Sequence, residues 1–593
     1  MILLRHPSLL IVLAALAFST AARAESIAWT SWSDDAFARA KREHKYVILD
    51  LEAVWCHWCH VMDATTYRDP RVISLLGAHY ISVRVDQDSR PDLANRYEDY
   101  VWPATVIYAP DGTEIVKKQG YVEPDGMARL LQAVIDDPSP VNYHDAQASV
   151  ASSAAPSAER VAVLRRQWRG GYDDKAGGWG FDHKFLDWDN VELALRDAAR
   201  GDERATRMAR DTIRLQRKLL DPVWGGMYQY SVGGDWDEPH FEKIMPMQAE
   251  DLRIYALAYA QWGDPADLAT ARAIHRFLTT FLRGADGAFY VSQDADLVPG
   301  EHSSEYFALD DAGRRARGIP RVDTHRYARE NGWAIAGLAQ YAAVTGDGAA
   351  RAEAETAANW VIAHRALAGG GFRHDEADAA GPYLGDTLAM GRAFFALYEL
   401  TADSAWLARA ESAADFIRAH FALGLEPGFA SSDTEKPSFP RPQPQFDENV
   451  GLARFAAALG AAGGRAEDSA TAVLALRWVL APGIAEPRHA YVGGALLAEE
   501  EVRTAPLHVA VIGGKDDPSA RSLYAVALRS PTAHKLIEWW DRREGPAPRG
   551  EDIYPELPQA AAFVCANGAC SAPMSSSPAL TARLAKILAA PVR

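Results

Sequence analysis

Tyr46-Val47-Ile48-Leu49-Asp50-Leu51, followed a few residues on by Trp55-Cys56-His57-Trp58-Cys59-His60-Val61-Met62, is the stretch that decides the first fold of this chain. Tyr46 to Leu51 is apolar and β-branched and predicts a strand. The second piece predicts a helix from about Cys56 through Met62. Two cysteines spaced by two residues therefore sit where a strand hands over to a helix. The first thiol falls at a helix N-terminus, where unpaired backbone N–H groups and the macrodipole stabilise a thiolate. The second lies one turn inside, within disulfide reach. A lone C-x-x-C is also compatible with a structural disulfide or a zinc half-site, so the surrounding residues must decide.

They resemble a thioredoxin-like site. Asp50 precedes Cys56 by six residues, as does the buried acid that exchanges a proton with the resolving thiol of thioredoxins. Trp55 precedes the first cysteine in the same way. Trp102-Pro103 opens a second strand, Ala104 to Tyr108, which ends in the turn Pro110-Asp111-Gly112. Proline is tolerated at a strand start, and X-Pro is the bond where cis is cheap. In thioredoxin-like folds that proline is cis and faces the dithiol. The resemblance implies a thioredoxin-like α/β domain over residues 25–140.

At 593 residues the chain is too long for one ordinary core. A hydrophobic content of 48% indicates packed globular domains, and a net charge of −17 speaks against nucleic acid or an anionic membrane as partner. Residues 1–24 read as a secretory signal: Arg5, an apolar run from Leu9 to Phe18, and the small-x-small site Ala22-Arg23-Ala24. The expectation is a periplasmic or secreted protein, free of the membrane after cleavage. The four cysteines, Cys56, Cys59, Cys565 and Cys570, pair most simply as two local disulfides.

From about residue 155 the texture turns Ala- and Leu-rich. A unit of helix, short turn often carrying Gly-Asp, helix, and Gly-aromatic loop recurs, the loops including Gly225-Gly226-Met227-Tyr228 and Gly369-Gly370-Gly371-Phe372. Such hairpins stack because none buries its face alone. Nearly six of them predict an (α/α)6 toroid over residues 155–503, with a half-unit at each end; an open α-solenoid is the other reading. Residues 504–593 predict a small C-terminal α/β appendage.

Cys56 to Met62, CHWCHVM, is similar to the signature of the thioredoxin-domain family that includes spermatogenesis-associated protein 20 and its bacterial relatives. WPATVIYAPDG, GGWGFDHKF, GGMYQYSVGGDWDEPHFEK, GAFYVSQDAD and CANGACSAP follow in family order. The resemblance implies a thioredoxin-like domain fused to a toroid like those of N-acylglucosamine 2-epimerases and six-hairpin glycosidases. It implies little about activity. The chain departs from the family pattern at Tyr100-Val101, where glycines are usual, and at His183, where a proline is expected.

Two sets of candidate residues result. In the redox set, Cys56 is the exposed attacking thiolate, Cys59 resolves the mixed disulfide, Asp50 handles its proton, Pro103 shapes the docking groove, and His57 favours the thiolate by its charge. Protein thiols or disulfides are the expected partners, with no cofactor. A metal alternative uses Cys56, Cys59 and His60 on one helix face. In the toroid set, Trp179, Tyr228 and Trp236 offer stacking faces, and Glu238, Glu242, Asp294 and Asp296 offer carboxylates, with His240 titrating near neutrality. Those residue types suit a sugar or glycan, processed as by an epimerase or hydrolase. The competing reading is that Gly-aromatic loops are only turns capped by a packed ring. Cys565–Cys570 is either a structural clip or a relay that exchanges electrons with Cys56–Cys59.

Overall fold

The computed structural model describes residues 26–97, 102–141, 157–376, 378, 380–424, 426–433, 442–547, 554–566 and 569–588. The signal segment and Tyr100-Val101 lie outside them.

Strands β1 (Tyr46–Glu52), β2 (Tyr80–Asp86), β3 (Ala104–Tyr108) and β4 (Glu114–Gln119) form one sheet in the order β2-β1-β3-β4. β2 is parallel to β1, whereas β3 and β4 run antiparallel to their neighbours. Strand periodicity separates the faces. Val47, Leu49 and Leu51 join Trp32 and Phe37 in one core, and Ile48 joins Met62, Leu76 and Leu131 in the other. Met62 belongs to the helix His57–Ala64 that carries the dithiol, so this helix packs on the Ile48 face, which Asp50 shares. The register Leu51↔Ala104 sets Trp102-Pro103 beside the end of β1, and that peptide bond is cis.

The middle of the chain closes into a ring. Six inner helices, Trp188–Ala199, Met245–Trp262, Ala328–Thr345, Leu384–Thr401, Phe446–Gly463 and Gly493–Arg503, each pack on the next, and the last packs on the first. The outer layer is Ala158–Gly170, Glu203–Gln216, Pro265–Phe281, Gly348–Arg365, Ser404–Phe421 and Ala466–Val479. The opening half-unit, Ala158–Gly170, packs on the closing helix Gly493–Arg503, so closure completes the last repeat and the open solenoid is excluded. The recurrent Gly-Asp has a physical cause. Gly263 and Gly346 adopt positive φ and end an inner helix, and Asp264 and Asp347 cap the next helix through their carboxylates.

The Gly-aromatic loops are held from within the ring. Asn331 accepts the Phe289 N–H at 2.8 Å and donates to its carbonyl at 3.1 Å, and Asn449 does the same for Phe429. The ring axis is filled with charge. Arg454 meets Asp189 at 2.9 Å, Glu192 at 2.6 Å and Glu501 at 3.0 Å, and Arg253 meets Glu192 at 2.7 Å and Glu250 at 2.5 Å.

The C-terminal appendage is α/β, as its sequence predicts. Strands Lys535–Trp540, Leu507–Ile512, Ala561–Ala566 and Ala569–Cys570 lie side by side in that order, one pair parallel and two antiparallel. Helix Pro518–Leu528 joins the parallel pair and Ser577–Leu588 follows the last strand. This repeats the strand order and orientations of the first domain. Its cysteines sit in the final hairpin, Cys565 opposite Cys570 and disulfide-bonded, rather than at a helix N-terminus.

The two α/β domains cap opposite ends of the toroid. The first meets the N-terminal ends of the inner helices and the Gly-aromatic loops, with Asn95 Nδ2 donating to Glu448 at 3.0 Å and His374 Nε2 to the Asp88 carbonyl at 2.7 Å. The second meets their C-terminal ends, with Lys515 Nζ donating to the Ala402 carbonyl at 2.9 Å and Tyr398 Oη to Glu538 at 3.3 Å.

Candidate functional site: a dithiol beneath the toroid rim

Cys56 caps the helix His57–Ala64, and its Sγ accepts the Cys59 N–H at 3.2 Å. Cys56 and Cys59 form a disulfide. Trp55 and Trp102 pack against the pair, and so does Ile244 of the toroid. Cys56 is 4% exposed and Cys59 3%. Cys56 as an exposed thiolate is thus corrected: an isolated thioredoxin-like domain would present this sulfur, but here the toroid rim covers it. Trp58, between the cysteines, remains 40% exposed with Tyr121 beside it.

Asp50 is buried, and Arg84 lies against it at 2.9 Å. Burial pushes its carboxyl up to about 6 against the pull of that guanidinium. Glu52, two residues on along the same strand face, is pushed up to about 8 by burial and by Asp50. Arg84 also pairs with Glu52 at 3.4 Å and with Asp63, so the Asp50–Glu52–Asp63 cluster is filled by a guanidinium.

The rim reaches the dithiol through three short strands, Lys243–Ile244, Ser292–Gln293 and Val322–Asp323. The register that pairs Lys243 with Gln293 sets Glu242 opposite Asp294. Asp294 and Asp296 follow on one loop, where Asp294 Oδ1 accepts the Asp296 N–H at 2.9 Å. Asp296 then grips the dithiol helix. Its Oδ1 lies 2.8 Å from His57 Nδ1, and its Oδ2 lies 3.1 Å from His60 Nδ1 while accepting the Gly300 N–H at 2.8 Å. Burial works against ionisation of Asp296, but the bonds from His57 and His60 hold its carboxyl at about 2. Asp294, 3.7 Å from His60 Nδ1, goes the other way: burial lifts it to about 7. Gly300 keeps the loop close, since a Cβ there would lie 3.3 Å from the His60 carbonyl, at a φ of +83°.

Glu242 Oε1 accepts the His57 N–H at 3.4 Å and lies 3.9 Å from His240 Nδ1. His302 sets its ring against His57 at 5.8 Å and Phe241 at 5.7 Å. Glu242, Asp294, Asp296 and His240 of the toroid set therefore converge on the redox set. The rest of the toroid set does not. Trp179 is buried between Trp168 and Tyr172, donating to the Trp168 carbonyl at 2.8 Å. Trp236 is buried with its indole N–H on the Ala176 carbonyl at 3.0 Å, and Tyr228 is packed on Phe241 and Phe307. These three rings are core and offer no stacking face. Glu238 is exposed on the outer surface.

Sequence reasoning passed over His302, His374 and Asp88. Trp55 Nε1 donates to Asp88 at 2.7 Å, and the Asp88 carbonyl accepts from His374, which links the residue before the dithiol to the toroid. No local pattern marks such contacts.

Residues 14–154 match the family Thioredox_DsbH, described as a protein of unknown function, DUF255. The match falls on the N-terminal α/β domain, which is similar to that family. Spermatogenesis-associated protein 20 of Rattus norvegicus is 27% identical over 307 residues, covering 46% of this chain and 39% of its own length. The chain thus spans well under half the length of that relative. Thiol:disulfide interchange protein DsbD 1 of Pseudomonas aeruginosa is 33% identical over 105 residues, 17% of this chain and 18% of that protein. Among solved structures, cellobiose 2-epimerase from Bacillus thermoamylovorans B4167 is similar at 11% identity and a TM-score of 0.44, over 57% of this chain and 98% of that one. The domain similar to Thioredox_DsbH carries the dithiol, and the helical ring carries the carboxylates that close over it.

Proposed function

We propose that this chain is an exported thiol–disulfide oxidoreductase acting on protein thiols or disulfides, with a toroid that shields and positions the dithiol. One observation carries the reading: Cys56 and Cys59 are adjacent at a helix N-terminus, packed against the Trp102-Pro103 loop. The similarity to a thiol:disulfide interchange protein of Pseudomonas aeruginosa supports it. In the reducing direction the Cys56 thiolate attacks a substrate disulfide and releases one substrate thiolate. The Cys59 thiolate then attacks Cys56 Sγ, releasing the second substrate thiolate and closing Cys56–Cys59. The oxidising direction is the reverse. A carbohydrate-processing toroid finds less support, because Trp179, Tyr228 and Trp236 are core and Glu242, Asp294 and Asp296 face the dithiol helix.

The test is exchange with a protein disulfide such as insulin. Cys56→Ser is expected to abolish it, and Cys59→Ser to accumulate a mixed disulfide on Cys56. Reduced Cys56 is expected to alkylate with a midpoint below the ordinary thiol value of about 8.5. An ordinary thiol titration, together with no exchange in either direction, would overturn the reading. Intact mass of the exported protein is expected to begin at Glu25.

A further inference from the structure

The rim loop brings more acid to the dithiol helix than its hydrogen bonds use. Glu242, Asp294 and Asp296 are all at least 97% buried, and among the described residues no lysine or arginine pairs with any of them. Glu242 has one carboxylate oxygen, Oε2, that is buried and reached by no donor. The strand register sets Glu242 opposite Asp294, so the two buried carboxylates are cross-strand neighbours. A buried carboxylate oxygen without a partner is destabilising, the more so when charged, and a cation bound in this patch would offset it.

The donor atoms already converge. His60 Nδ1, an Asp294 oxygen and an Asp296 oxygen all lie within 4.8 Å of one another. Two of the separations, 3.1 and 3.7 Å from His60 Nδ1, bracket the roughly 3.4 Å edge of a tetrahedron whose metal–ligand bonds are about 2.1 Å. We propose that His60, Asp294 and Asp296 form a divalent transition-metal site across the seam between the thioredoxin-like domain and the toroid, with the buried carboxylate of Glu242 on the neighbouring strand position beside it. One imidazole with two or three carboxylates suits Zn²⁺, Mn²⁺ or Fe²⁺. Ca²⁺ and Mg²⁺ prefer all-oxygen sets, and Cu⁺ prefers thiolates. The site uses neither sulfur and stands in the oxidised protein, which separates it from a site built on Cys56 and Cys59.

The test uses the full chain, chelator-treated and with Cys56–Cys59 oxidised. Titration calorimetry with ZnCl2 is expected to show one ion per chain. CoCl2 is expected to give d–d bands without a thiolate-to-cobalt charge-transfer band. His60→Gln and Asp294→Asn are expected to weaken binding at least tenfold, and the Cys56→Ser/Cys59→Ser double variant to leave it unchanged. Near-UV circular dichroism shows that each variant keeps its fold. No binding of Zn²⁺, Co²⁺ or Mn²⁺ at micromolar concentrations would overturn the proposal. So would binding lost only in the cysteine variant, or binding indifferent to all four substitutions.

Discussion

His374 is held by acceptors on both ring nitrogens. Nδ1 lies 2.9 Å from Asp386 Oδ1 and Nε2 lies 2.7 Å from the Asp88 carbonyl. A carbonyl can only accept, and an ionised carboxylate can only accept, so both nitrogens carry protons and the ring is an imidazolium. Burial opposes that charge, but Asp386 outweighs it and raises the group to about 9. A histidine raised on folding contributes stability that is fully present below its unfolded value of about 6.5 and is lost as pH rises through the folded value. The size is on the order of 3 kcal/mol. His374 is one of the bonds between toroid and dithiol domain, so that seam should weaken between pH 6.5 and 9. Glu52, pushed up to about 8, and Asp88, pushed up to about 7, also titrate near this window. The difference between wild type and His374→Gln therefore isolates the histidine. Melting temperatures followed from pH 6 to 9.5 are expected to converge as pH rises; a constant gap would contradict the imidazolium.

At the scale of elements, the dithiol helix is clasped by a loop of the toroid. Asp296 bonds His57 and His60, one helical turn apart, with one carboxylate. Hydrogen bonds to a charged group contribute about 1.5–3 kcal/mol each. Cys56 at 4% exposure has no room for a protein partner until this clasp opens. Asp296→Asn removes the charge and keeps the shape. Reduction of Cys56–Cys59 by a protein reductant is expected to accelerate roughly tenfold or more, since about 1.4 kcal/mol off the opening cost is already a factor of ten. Reduction by a small thiol is expected to change less. Equal acceleration for both reductants would show that Asp296 acts on the dithiol's chemistry rather than on access.

The whole molecule separates its two disulfides. The thioredoxin-like domain caps one end of the inner helices and the C-terminal domain the other, and an inner helix of 18 residues is about 27 Å long. Exchange requires direct sulfur–sulfur attack, so this separation speaks against a relay between Cys565–Cys570 and Cys56–Cys59 within one chain and favours the structural clip. The Cys565→Ser/Cys570→Ser variant is expected to lose about 2 kcal/mol of stability with no change in Cys56 alkylation. The same architecture closes the toroid as a funnel. Arg454 neutralises Asp189, Glu192 and Glu501 across the axis, and breaking a buried pair typically costs about 3–5 kcal/mol. Arg454→Met is expected to lower the denaturation midpoint accordingly; a loss under about 1 kcal/mol would mean that water enters the axis.

The amino-acid sequence by itself determined the parts whose causes are local. The β1–dithiol helix unit and the hairpin repeat follow from period, capping and turn chemistry within a few residues, and the cis proline at the head of β3 was implied by the resemblance to thioredoxins. The ring could be counted because the repeats share a short turn, often Gly-Asp, and a Gly-aromatic loop. What only the tertiary structure decided is where those parts meet. Asp296 stands 236–239 positions from the histidines it bonds, and His374 stands 286 from Asp88. Trp179, Tyr228 and Trp236 have the composition of a binding platform and the burial of a core, because an aromatic ring beside a glycine turn serves either purpose until its neighbours are known. The strand order of the C-terminal sheet, which repeats that of the first domain, is set by pairing between strands far apart in the chain. The seam over the dithiol is decided the same way: hydrogen bonds across two domains depend on how closed surfaces fit, and no window of sequence holds both surfaces.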